Sequence, residues 1–73
     1  MNINNEHEHK RALLFQEREM MVHVLKKDGI FLNGTIVEVG YDFIILKDYI
    51  QQKDYMILFQ ELKKPLEPFK DVK

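Results

Sequence analysis

The chain has 73 residues, 45% of them apolar and 32% charged, and its 11 Lys+Arg against 12 Asp+Glu leave a formal net charge of −1. That is one small domain, and its charge balance excludes a strongly basic nucleic-acid binder. There is no cysteine and no serine, and Thr35 is the only threonine, so disulfides are excluded and the usual hydroxyl and thiol nucleophiles are nearly absent.

Residues 1–20 are polar and charged. They carry no signal-peptide apolar region, and no apolar run elsewhere approaches the length of a membrane span, so a cytoplasmic protein without membrane contact is expected. The spacing predicts a helix over 5–17. Asn5 is a good N-cap, Glu8 follows three residues later as in a capping box, and no Gly or Pro interrupts the segment. Ala12, Leu13, Leu14 and Phe15 form its one apolar patch. A helix this short is marginal alone and must dock that patch.

From Met21 the period changes to alternation. Val22 and Val24 mark a first strand, and Asp28-Gly29 supplies a hairpin turn. The run from Ile30 to Val39 reads as a second strand, and Gly40-Tyr41-Asp42 as the next turn. Phe43-Ile44-Ile45-Leu46 is a third strand, apolar on both sides and expected to be buried on both. A polar loop over 48–54 leads to a fourth strand at Tyr55-Met56-Ile57-Leu58-Phe59. Leu62 marks a short fifth strand ended by Pro65, and residues 66–73 read as a tail. Asn33-Gly34 is itself hairpin-turn chemistry, but a turn there would leave Ile30-Phe31-Leu32 as a stub. One long strand bent at Gly34 is the better reading, because a glycine inside a strand marks a bend or a close backbone approach.

The expected architecture is therefore mainly β: a single domain over 1–73, with a helix over 5–17, a bent five-stranded antiparallel barrel over 20–64 and a tail over 66–73. Its motifs agree with one family. Val22-x-Val24, Asp28-Gly29, Leu32-x-Gly34-x-Ile36 and then Phe43-Ile44-Ile45-Leu46 resemble the first motif of the Sm-like family, and the leading helix resembles its bacterial branch, the Hfq RNA chaperones. The resemblance spans roughly residues 8–64. It implies a non-enzymatic protein that binds single-stranded RNA as a homo-oligomeric ring, a hexamer by analogy, without a cofactor or a metal. It also implies a seam in which the fourth strand of one subunit pairs with the fifth of the next.

The resemblance points to Phe43, Tyr55, Ile30, Asn33, Lys26 and Arg18 as RNA-binding candidates. Phe43 is the aromatic for base stacking, or else a core residue that starts a strand. Lys26-Lys27 and Lys63-Lys64 are phosphate contacts, or else a solvated turn and a protected edge. Asn33 stands in for a base-reading amide. Where the Hfq branch has Tyr-Lys-His, this chain has Tyr55-Met56-Ile57, so the cation and imidazole of the pore-side uridine site are missing. A degenerate Sm-like protein-interaction module without RNA binding is the alternative. Glu6-His7-Glu8-His9 looks like a metal-binding string, but on a helix its two imidazoles point about 200° apart and cannot share one ion. Asn33-Gly34-Thr35 matches the glycosylation sequon and means nothing without a secretion signal. No acid–base pair supports catalysis.

Overall fold

The computed structural model describes residues 5–69. Helix α1 runs Asn5–Glu17, and the strands are β1 Met21–Leu25, β2 Phe31–Val39, β3 Phe43–Asp48, β4 Asp54–Leu58 and β5 Glu67–Pro68. A 3-10 turn, Phe59–Glu61, follows β4. All five strands lie in one antiparallel sheet in the order β4-β3-β2-β1-β5. Two edges remain, β4 and β5, so the sheet is open rather than closed on itself.

Gly34 lies inside β2, opposite Val22 of β1 and Asp48 of β3. The backbone runs straight on through Asn33-Gly34. The residue type is dictated by contact: a Cβ at position 34 would sit 1.9 Å from the Lys47 carbonyl oxygen and 2.8 Å from its carbon. The real reversal before β2 is at Asp28-Gly29. Gly29 adopts φ +90°, its N–H donates to the Lys26 carbonyl at 2.9 Å, and the Asp28 side chain accepts from the Ile30 N–H at 3.0 Å. Only glycine holds such a φ without strain. Further along β2 the register slips between Ile36 and Glu38, a bulge at Val37 that sharpens the bend.

The core forms between the concave side of this sheet and α1. Ala12, Phe15, Val22, Val24, Ile36, Ile44, Leu46, Ile57 and Phe59 are all buried. Helical spacing decides which part of the α1 patch is used. Glu8, Ala12 and Phe15 share the inner face, whereas Leu13 and Leu14 remain 44% and 43% exposed. Two side chains pin the helix to the sheet. His9 Nδ1 donates to the Gly40 carbonyl at 3.0 Å, and Gln16 Nε2 donates to the Val37 carbonyl at 2.8 Å.

Two expectations need correction. Strand β3 is covered on one face only: Ile44 and Leu46 are buried, while Phe43 and Ile45 are half-buried. The fifth strand is Glu67–Pro68 rather than a segment around Leu62, which makes one isolated bridge to Lys26. Residues 66–69 thus belong to the fold instead of to a tail. Leu66 is 1% exposed, and the Phe69 N–H donates to the Met21 carbonyl at 2.9 Å. The rest of the expected tail, 70–73, lies outside the described residues, as do residues 1–4.

Leu66 is tied to the helix by a buried carboxylate. Glu8, 2% exposed, accepts the Leu66 N–H at 3.2 Å through Oε2, and Oε1 lies 4.0 Å from Arg11 Nε. Burial holds the Glu8 carboxyl above its ordinary range, partly offset by the Leu66 N–H and by the charges of Arg11 and His7. The sign follows from linkage. The folded state binds this proton more tightly than the unfolded state, so ionising Glu8 opposes folding. That opposition is absent below the unfolded carboxylate range, about pH 4.3, and complete above the raised folded value.

Two outcomes follow. Glu8→Gln keeps an acceptor for Leu66 and removes the charge. Its thermal midpoint should exceed that of the parent at pH 7, and the gap should close as the pH falls toward 4; a constant gap would contradict the linkage. Gly34→Ala should lose at least about 3 kcal/mol in urea unfolding, the upper end of overpacking costs. Phe31→Ala, at an exposed site on the same strand, should change stability by no more than about 0.5 kcal/mol.

Candidate nucleic-acid interface

The pleat sorts β1 and β2 into two faces. Val22 and Val24 point into the core, so His23 and Leu25 point outward. Gly34 and Ile36 face inward, so Phe31, Asn33 and Thr35 face outward. Register then assembles a row that no single strand contains. His23 stands opposite Asn33 on one side and Glu67 on the other, and Leu25 stands opposite Phe31.

The contacts within this row are close. His23 Nδ1 lies 2.6 Å from Asn33 Oδ1. The amide oxygen has no proton, so the imidazole is the donor and Nδ1 carries the hydrogen. The His23 and Phe31 rings meet at 5.2 Å between centroids with a 43° tilt. Phe31 is 61% exposed, which leaves most of its ring available to a ligand. The Tyr49 N–H donates to the Asn33 carbonyl at 3.0 Å, and the Tyr49 and Phe69 rings lie 6.5 Å apart. A shallow groove lined by His23, Glu67, Pro68 and Phe69 runs along the β5 side. Lys64 Nζ holds Glu67 Oε1 at 3.0 Å.

Three of the six candidates fall at this end of the β1–β2 hairpin. Asn33 is in the row itself. Ile30 is 48% exposed just ahead of Phe31. Lys26 donates its N–H to the Ile30 carbonyl at 2.9 Å. Its side chain, however, is mostly covered and lies between two carboxylates, Glu61 at 3.8 Å and Asp28 at 3.9 Å. Lys26 is thus largely neutralised where it stands.

The other three are elsewhere. Phe43 begins β3 at the far end of the sheet, half-buried, with its ring over Gly40, where a Cβ would sit 2.0 Å from the ring. The exposed aromatic of that turn is Tyr41, at 88%. Tyr55 packs against the core from β4, opposite Leu46, and its hydroxyl donates to Gln51 Oε1 at 2.7 Å. Arg18 is exposed in the turn after α1.

Phe31, Glu67, Tyr49 and Phe69 were not singled out by sequence reasoning, and His23 reads there as a lone imidazole in a strand, a surface or interface residue rather than a ligand. The alternation of β2 already puts Phe31 and Asn33 on one side. Finding His23 beside Asn33 also needs the register, which follows from counting outward from the Asp28-Gly29 turn. Glu67 and Phe69 carry no comparable signal. Among the described residues no group of three His, Asp or Glu is arranged to hold a metal ion, and no helix is long and apolar enough to cross a membrane. No protein-family model and no curated protein matches this chain.

Removing the two aromatics of the β2–β3 turn separates their roles. Phe43→Ala should cost about 2 kcal/mol, near half the price of truncating a fully buried phenylalanine, because its ring roofs Gly40. Tyr41→Ala should leave the urea midpoint unchanged. Equal effects of the two substitutions would mean that Phe43 is a surface residue after all.

Proposed function

We propose that this chain is a non-enzymatic, Sm-like RNA-binding protein that assembles as a homo-oligomeric ring and takes single-stranded, adenine-rich RNA on the outer face of β1 and β2. The observation that carries this reading is an exposed aromatic, Phe31, beside an oriented amide, Asn33. Bases of a single strand stack on such a ring at about 1–3 kcal/mol each. Ile30 widens the apolar platform, and Asn33 supplies a polar group for a base edge. The close strand approach at Gly34 and the bulge at Val37 support an Sm-like barrel over a flat sheet.

Assembly has a physical motive in the edges. The N–H groups of Asp48 and Phe59 bond Lys53 and Asp42 respectively, so the backbones of Lys53, Tyr55, Ile57 and Phe59 face β3. By alternation Asp54, Met56 and Leu58 present theirs outward. Glu61 Oε1 accepts the Leu58 N–H at 3.0 Å, which leaves Asp54 and Met56 for a neighbouring strand. The outer face beside this edge carries Ile45, Leu58 and Met56, the last 60% exposed. A second copy covers that surface in the ring reading. The same patch favours the alternative, an interaction module without RNA. Near-neutral charge supports that alternative as well.

Three measurements test the proposal. Light scattering at micromolar concentration should give about six times the 8.8 kDa chain mass, and a monomer would end the ring reading. An adenine-rich oligonucleotide should bind more tightly than a uridine-rich one, with Asn33→Ala and Phe31→Ala each weakening it about tenfold. The salt dependence should be shallow, with a log–log slope of about −0.7 to −1.4, as one or two phosphate contacts would give. An assembled protein that binds neither oligonucleotide at low salt is the interaction module instead.

A further inference from the structure

We infer that His23 is a specificity-determining residue that positions Asn33 and makes the pair selective for a purine edge offering one donor beside one acceptor. The inference rests on the RNA reading above and deepens it.

The 2.6 Å contact joins His23 Nδ1 to Asn33 Oδ1. Because Nδ1–H donates to Asn33 Oδ1, the Asn33 carboxamide cannot rotate freely. Its oxygen is engaged, so its NH2 group is the part left for a ligand. The proton on Nδ1 leaves Nε2 of the neutral imidazole as an acceptor. The row therefore offers a ligand one donor, Asn33 Nδ2, and one acceptor, His23 Nε2. The contact between the His23 and Phe31 rings fixes the imidazole beside the stacking platform. Glu67 stands on the opposite side of His23 in register, and Lys64 holds its carboxylate at 3.0 Å.

Base edges differ in how they meet such a pair. The N6 amino group and N7 of adenine present a donor beside an acceptor, matching His23 Nε2 and Asn33 Nδ2 respectively. Guanine and hypoxanthine present two acceptors on the same edge, O6 and N7, so Nε2 would face a carbonyl oxygen with no proton between them. A mispaired polar group away from water is more costly than a missing contact. Selection for adenine is thus set by which ring nitrogen of His23 holds the proton, and Asn33 alone does not determine it.

The test uses the full chain and fluorescently labelled oligonucleotides in which adenine is replaced throughout by 7-deazaadenine or by hypoxanthine. The parent protein should lose about tenfold in affinity on either replacement. His23→Ala releases Asn33 and removes Nε2, so both replacements should then cost less than about twofold. His23→Lys restores a donor to Asn33 Oδ1 and, having no acceptor of its own, removes the one that Nε2 supplies. It should remain sensitive to loss of N7 and become indifferent to hypoxanthine. A merely structural role for His23 would weaken all three oligonucleotides together, and that result overturns the inference while leaving the RNA reading intact. Failure of the parent to bind adenine-rich RNA overturns the RNA reading itself. Nitrogen-15 spectra of the free protein give a readout that needs no RNA: His23 should be the Nδ1-protonated tautomer at pH 8, and the Nε2-protonated tautomer would overturn the inference.

Discussion

The approach of the Lys47 carbonyl to position 34 sets how β2 lies against β3, the pair at the centre of the sheet. A methyl group at that point would overlap the β3 backbone at 1.9 Å, so the two strands can cross this closely only where one of them has no side chain. The contact leaves β2 continuous past Gly34, and the Val37 bulge then changes the parity of the strand. Before the bulge, odd-numbered residues face outward and Ile36 faces the core. After it, Glu38 is outward and Val39 packs on the core. One nine-residue strand thereby places Phe31 and Asn33 on the outer surface and still closes the far end of the core.

The last strand depends on this arrangement at one remove. Glu67–Pro68 is too short to hold itself in a sheet, and Pro68 donates no backbone hydrogen bond. It is secured from both sides instead. Leu66 is buried in the core, its N–H reaches the Glu8 carboxylate from α1, and the Phe69 N–H reaches Met21. Without α1 docked by Ala12 and Phe15 there is no Glu8 at that position, and without β5 there is no Glu67 beside His23. Helix, last strand and outer row are thus coupled in part through the buried Glu8 carboxylate.

Much of this was legible in the residues, for identifiable reasons. The helix, the first four strands and the Asp28-Gly29 turn announce themselves by spacing and by turn chemistry. The choice between bend and turn at Asn33-Gly34 was decided by the stub that a turn would leave. The misreadings have physical causes as well. Leu13 and Leu14 look like part of a docking patch until the helical period is applied against a fixed inner face. Strand β3 looks doubly buried because nothing local reveals that its outer face is left uncovered within one chain. Glu67-Pro68 looks like tail because it lacks β-formers and lies between charged residues. Its strand character comes from Leu66 and Phe69 on either side and from partners far away in sequence. Phe43 was the natural aromatic to choose for stacking, yet Gly40 offers its ring a seat, and the most exposed aromatics among the described residues are Tyr41 and Phe31.

The electrostatics of the outer row decide what kind of nucleic-acid surface it can be. Lys26 is held by Asp28 and Glu61, and Lys64 by Glu67, so these two cations beside the row already have anionic partners. A duplex presents mainly phosphates, which this surface is poorly equipped to neutralise, and hides the faces of its bases. A single strand presents those faces, and a ring such as Phe31 meets them without needing a compensating charge. Of the two nucleic-acid forms, then, only the unpaired one offers what the row has groups to receive. In the RNA reading proposed above, discrimination among bases would come from its two polar members, His23 and Asn33, because the aromatic platform accepts any base that can stack.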